Sequence, residues 1–283
     1  MSNVLLDTIL DCVKLLPFLY ITYLIMEYIE HKTSEKTKTV IKRSGKFGPI
    51  IGGIVGVTPQ CGFSAAAASL YAGRIITMGT LIAIFLSTSD EMLPILISQK
   101  VDIIIIIKIL GIKMMIGMLA GLLIDHIYSN SGKKEESLTI HEICEHDHCN
   151  CENGIFRSSF KHTLQIIIYI FLITFILNSF IFYIGEENVA NIILNKPFAG
   201  SIISGIVGLI PNCAASVIIT QLYLDGIMST GAMLSGLLVG AGVGILILFK
   251  VNKHRKENIK IVLLLYAIGV MAGTLFDLFK FVL

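Results

Sequence analysis

The chain has 283 residues, 54% of them hydrophobic and 15% charged, with a mean hydropathy of +0.81. A water-soluble domain, in which about a quarter of residues carry charge, is excluded, and the chain belongs in a bilayer. Its 22 basic and 20 acidic residues leave a net charge of only +2. The bases gather in loops, which argues against a nucleic-acid partner.

In chain order, the first apolar run covers 5–29 and carries Asp7 and Asp11. It has no basic leader or small-residue cleavage site, so it reads as a mature helix rather than a signal peptide. The next stretch, 47–73, is rich in Gly and Ala and interrupted at Pro59. Proline removes a backbone donor and clashes with the preceding turn, so a helix breaks there and frees amides and carbonyls. Thr58, Gln60, Cys61 and Ser64 flank the break with hydroxyl, amide and thiol groups.

An apolar run of spanning length follows at 77–98, carrying Ser87, Thr88, Ser89, Asp90 and Glu91 in its interior. An acid inside a membrane costs at least ~2.5 kcal/mol unless it is paired, hydrated or ion-bound. Asp90 and Glu91 with the neighbouring hydroxyls therefore read as a cation or proton site. A further helix is expected over 101–124, ending near Asp125, which reads as a structural helix-end residue.

The polar linker contains His141, Cys144, His146, His148, Cys149 and Cys151 among four acids. Imidazole, thiolate and carboxylate together suit soft or borderline divalent metals. The paired spacings of a structural zinc site are lacking, so the tract reads as a flexible metal collector. The cysteines as a whole show no secreted disulfide framework.

Beyond the linker, a helix at 163–184, an interrupted stretch at 197–225 and helices at 229–249 and 261–282 follow, the last ending near Asp277. The second interruption, at Pro211, is flanked by Asn212, Cys213 and Ser216. Shifted by 152 residues, the second half overlays the first: Gly48, Gly53, Gly56, Pro59, Cys61 and Ser64 meet Gly200, Gly205, Gly208, Pro211, Cys213 and Ser216, and Asp125 meets Asp277. Paired Pro, Cys and Asp at one offset imply an internal duplication. The fold class is all-α, a polytopic membrane protein of two tandem repeats: 1–126, a linker 127–160, and 161–283.

Each unit is expected to hold one long helix, one interrupted segment and two more long helices. If the interrupted segments re-enter, each unit crosses three times and the copies are inverted; if they span, each crosses four times and the copies are parallel. The positive-inside rule favours re-entry, which keeps Lys42, Arg43, Arg74, Arg157, Lys161 and Lys253 on the cytoplasmic side with the linker. Both termini then lie outside a bacterial-type inner membrane.

Paired interrupted segments at matching places in two repeats are the best sequence pointer to a midplane transport site. The motifs TPQCGFS and IPNCAAS, with STSDEMLP between them, resemble a bacterial family described as ten-helix heavy-metal exporters, also labelled arsenic efflux proteins or manganese transporters. The resemblance covers nearly the whole chain. Counting each half of an interrupted segment as a helix gives five per unit, in agreement with ten. It implies a secondary exporter of a metal or metalloid ion, with no cofactor and with the bilayer and the ion as partners.

The acids Asp90 and Glu91 favour a manganese-like cation, and the thiols Cys61 and Cys213 favour arsenite or softer metals. Export of a divalent cation against an inside-negative potential costs roughly 4.6 kcal/mol per 100 mV, so it needs coupling. Proton antiport through Asp90 or Glu91 would supply it, since no phosphate-binding loop is present. An anion or small-solute permease is the second reading, weakened by the absence of a basic residue near either proline break. A membrane-embedded enzyme is the third; it would need a nucleophile and base close together, and none is seen.

Overall fold

The structure, a computed structural model, describes residues 8–24 in part, 47–58, 61–89, 92–130, 155–184 and 197–279, without the side chains at 61, 129–130, 155–158, 162, 177–178, 180–184, 197–198 and 213. Among the described residues it is entirely helical, with no strand. Helical residues within 8–24 form α1. The first half continues with α2 (Gly48–Gly56), α3 (Cys61–Ala72), α4 (Met78–Ser87), α5 (Met92–Ser98) and α6 (Ile103–Asn130). The second half comprises α7 (Ile155–Ile184), α8 (Pro197–Gly208), α9 (Cys213–Leu224), α10 (Thr230–Val239), α11 (Val243–Val251) and α12 (Arg255–Leu278).

Among the described residues, five stretches are long and apolar enough to cross a membrane: Met78–Ser98, Ile103–Tyr128, Ser159–Ile176, Thr230–Val251 and Arg255–Leu278. Two of these differ from the sequence expectation of unbroken helices. In the run 77–98 the helix ends at Ser87, with Thr88 and Ser89 outside it and Met92–Ser98 helical, and 229–249 stops after Val239 and resumes at Val243. Gly242 sits at φ +52°, a conformation that side chains with a Cβ rarely adopt, so the second interruption is a sharp turn of the backbone. Among the described residues, each of these two spans thus contributes two helical pieces where one was expected.

The two broken spans form the centre. Burial is 75% for Met78–Ser98 and 83% for Thr230–Val251, against 22% for each of the spans in α6 and α12. Along α6, Ile103, Ile107, Met115, Leu119, Leu123 and Ile127 are exposed at near-fourfold spacing, one helical face presented to lipid.

Glycine makes the inner packing close. In the first half α2, α4 and α6 form one packet; in the second α8, α10 and α12 form another. A Cβ on Gly48 would strike Thr80, one on Gly52 would crowd Thr80 and Ile84, and one on Gly56 would strike Ser87. Contacts that rise together along both helices mean that α2 and α4 run parallel. The same holds for α8 and α10, where Gly200 faces Ala232, Gly205 faces Ser235 and Gly208 faces Gly236. Small residues permit this approach where apolar burial gives helices no drive to associate in lipid.

The start of each central helix is capped twice. The Thr77 side chain accepts from the Thr80 amide at 3.1 Å, and Asp125 Oδ1 on α6 accepts from the Gly79 amide at 2.8 Å. In the second half the Ser229 side chain accepts from the Ala232 amide at 3.1 Å, and Asp277 Oδ1 accepts from the Gly231 amide at 2.9 Å. Hydroxyl N-caps satisfy amides that the first turn leaves unpaired, and a carboxylate there also meets the positive end of the helix dipole.

The halves interlock through their short pieces. α11 packs on α3, α9 packs on α5, and α4 touches α10. Their apolar faces make two cores, one joining Tyr71, Phe85 and Leu86 to Leu238, Val243 and Leu248, the other joining Met92, Leu96 and Ile109 to Ile218, Ile219 and Leu234.

Candidate functional site

The interruptions meet at the centre of the molecule. α2 ends at Gly56, and the Val57 carbonyl just beyond it accepts a 2.7 Å hydrogen bond from the Ser89 hydroxyl, which lies in the interruption after α4. Thr88, the C-cap of α4, leaves the helix with φ −56° and ψ 132°, and its carbonyl accepts from the Lys113 ammonium. The same ammonium donates to the Leu237 carbonyl, in the last turn of α10, at 2.9 Å. One lysine therefore joins the broken spans of both halves.

Lys113 is 1% exposed. It lies ten residues into α6, roughly 15 Å along the helix at 1.5 Å per residue, about half the depth of a hydrocarbon core. The carbonyl it holds on α10 has lost its helical partner: the Ala241 amide, which would bond Leu237 in a continuous helix, bonds Val239 at 2.9 Å. The break thus makes an acceptor, and the ammonium satisfies it.

The predicted site residues fall into three groups. Ser87, Thr88 and Ser89 are buried at this junction. Ser87 Oγ donates to Ala83 O at 2.8 Å and Thr88 Oγ1 to Ile84 O at 2.7 Å, so these protons return to their own helix while the oxygens keep lone pairs. Ser64 is fully buried at the start of α3, where a Cβ on Gly244 would touch it, so it faces the beginning of α11. Asn212 is 4% exposed and caps α9, its side chain accepting from the Ala214 amide at 3.2 Å.

Thr58 is exposed and Ser216 half-buried, its carbonyl accepting from Thr220 Oγ1 at 2.7 Å. Gln60, Asp90, Glu91 and the whole linker set, His141, Cys144, His146, His148, Cys149 and Cys151, lie outside the described residues, as do the side chains of Cys61 and Cys213. Among the described residues, no three His, Cys, Asp or Glu side chains gather closely enough to hold a metal ion.

Lys113 is a residue that the sequence reading does not single out. It is far from the interruption after α4 in sequence, yet the fold brings it from α6 to Thr88, the residue beside Ser89. The apolar run carries two lysines, Lys108 and Lys113, each costly in lipid, and the sequence does not tell that the second is buried and the first exposed.

A second charged cluster ties the halves at the end of α3. Arg74 Nη1 and Nη2 donate to Glu257 Oε1 and Oε2 at 2.7 and 2.8 Å, the Tyr71 hydroxyl donates to the same carboxylate, and the guanidinium lies 5.2 Å from the Tyr71 ring centre. Arg74 adopts φ +56°, where the second half has Gly226 at φ +71°.

Discontinuous helices meeting around a buried charge define the class: a polytopic helical membrane protein with polar groups gathered at its centre. Residues 2–180, well over half of the chain, match the family described as "Putative, 10TM heavy-metal exporter". The chain belongs to that family. Neither the curated proteins nor the solved structures contain a match to it.

Proposed function

We propose that the protein is a secondary active exporter of a manganese-like divalent cation or of arsenite, with its binding site where the interrupted spans meet. The observation that carries this reading is the junction of Val57, Thr88, Ser89, Lys113 and Leu237, buried at half depth and supplied by both halves. Asp90 and Glu91 are the next two residues of the chain after Ser89, and Cys61 opens α3 with Ser64 one turn on. Carboxylates would serve a hard cation, and Cys61 with Cys213 would serve arsenite.

Coupling falls to proton exchange at Asp90 or Glu91, since a divalent cation must leave against the membrane potential. The linker 127–160, with its histidines and thiols, is read as a cytoplasmic tract that collects the ion before export. The reading assigns the chain no catalytic residue.

The same reading divides the chain into two inverted repeats, 1–126 and 161–283, in a bacterial-type inner membrane with both termini outside. Parallel packing of α2 on α4, and of α8 on α10, supports it. After α2 the chain must return through α3 to begin α4 at the same level, so the segment interrupted at Pro59 acts as a re-entrant hairpin, and that at Pro211 likewise. Each repeat then crosses three times, an odd number, which inverts the second copy.

Elemental analysis of cells exposed to manganese, zinc or arsenite tests the function. Cells with wild-type protein should hold less of one element than cells without it. Asp90→Asn with Glu91→Gln should abolish the difference if the cargo is a hard cation, and Cys61→Ser with Cys213→Ser if it is arsenite. An unchanged content of all three elements would overturn the exporter reading.

A further inference from the structure

The two interruptions of the central spans do more than bend them. Each ends a half-helix at its carboxyl end, and each turns a main-chain carbonyl, that of Thr88 or that of Leu237, toward the same point. Carboxyl ends of helices carry partial negative charge, and unwound carbonyls at such ends are a general means of holding a small cation within a membrane. At this point stands the ammonium of Lys113, itself 1% exposed.

The position has no counterpart in the other half. Shifting Lys113 by the 152 residues that relate Asp125 to Asp277 gives Leu265, fully buried in the apolar core. Among the described residues, the paired frame therefore carries this ammonium on one side only, shared by both halves.

We propose that the carbonyl ends at Thr88 and Leu237 make a site for a small monovalent cation, and that in this protein the Lys113 ammonium is its permanent occupant. The ammonium stands in place of an alkali-metal ion and pins the two central spans together at half depth. The protein consequently needs no sodium to hold this junction. This rests on the same junction as the proposed function, with the lysine filling the Thr88–Leu237 point and the exported ion left to the Asp90, Glu91 and Cys61 side chains. Because its test reads stability rather than transport, the failure of either reading is distinguishable from that of the other.

The experiment uses the full chain purified into lipid nanodiscs, with thermal unfolding followed by calorimetry because the chain has no tryptophan. Wild type, Lys113→Ala, Lys113→Gln and Lys113→Met are compared in choline, lithium, sodium and potassium chloride at equal ionic strength. Wild type should melt at one temperature in all four salts. Lys113→Ala, which opens space beside two unpaired carbonyls, should melt about 5 °C lower in choline. Lithium or sodium at about 100 mM should restore at least half of that loss by binding the folded state. Lys113→Gln should show the same rescue to a smaller degree, while Lys113→Met fills the space without charge and should be lowered equally in every salt.

A wild type that melts higher in sodium than in choline would overturn the proposal, because the site would then not be filled by lysine. So would Lys113→Ala and Lys113→Gln proteins that melt alike in all four salts, or that fail to fold in every one of them.

Discussion

Asp125 and Asp277 show how a single carboxylate can fix the level of a neighbouring helix. Each accepts from a backbone amide in the first turn of a central helix and from the cap hydroxyl beside it, Thr77 at 2.6 Å and Ser229 at 2.9 Å. Reading them as helix-end residues was within reach of the sequence, but their partners were not, because those lie 46 and 48 residues away. Asp125→Ala should leave the Gly79 amide without its acceptor and cost about 1–3 kcal/mol. Gly79→Ala should cost a similar amount by driving a methyl group into the Gly121 carbonyl. Both variants should lose their monodisperse peak on size exclusion after heating to a temperature that wild type survives. An alanine variant at Gly111, where an added Cβ meets nothing, is the control and should behave as wild type.

At the scale of elements, the turn after α3 carries an arginine where glycine would cost less. The amides of Arg74 and Ile75 bond back to Tyr71 and Leu70 at 2.9 Å, and those of Gly226 and Ile227 bond back to Tyr223 and Leu222 at 3.0 and 3.1 Å. This is one helix ending made twice, with its left-handed residue glycine in one case and arginine in the other. The strain at Arg74, about 1 kcal/mol, is offset by a bidentate pair with Glu257 on α12. Arg74→Ala and Glu257→Ala should each destabilise the protein. In a double-mutant cycle the pair should show a coupling of about 1–3 kcal/mol, measured by thermal or denaturant unfolding in detergent. Additive single effects would mean that the two side chains act separately.

Elements also mark where the sequence stops being informative. The apolar runs, their lengths and the membrane class are legible because about 20 apolar residues have no other common use. The interruption at Gly240–Gly242 is not, because glycine inside a helix costs only about 1 kcal/mol and is frequent in membrane helices. Thr88 and Ser89 were legible as polar groups in an apolar run, not as a helix end. Lys113 was illegible for a different reason. Its acceptors come from 25 and 124 residues away, and no local pattern encodes a meeting of that range.

On the scale of the whole molecule, the number of crossings decides how the halves face each other, and three exposed positions separate the alternatives. If the stretches interrupted at Pro59 and Pro211 re-enter, Gln99 and Asp225 lie on the outer side and Lys253 on the cytoplasmic side. If those stretches span, Gln99 and Lys253 share one side and Asp225 lies on the other. Single cysteines at the three positions, in a chain whose native cysteines are replaced by serine, distinguish the cases with a membrane-impermeant thiol reagent applied to intact cells. Labelling of Gln99→Cys and Asp225→Cys from outside, with Lys253→Cys labelled only after permeabilisation, is the result expected for inverted repeats. Equal behaviour of Gln99→Cys and Lys253→Cys would instead make the copies parallel. The parallel packing of Gly48 to Gly56 along Thr80 to Ser87 would then have to be reconciled with a chain that never turns back. That outcome would also relate the two halves by an axis along the membrane normal rather than by one in its plane.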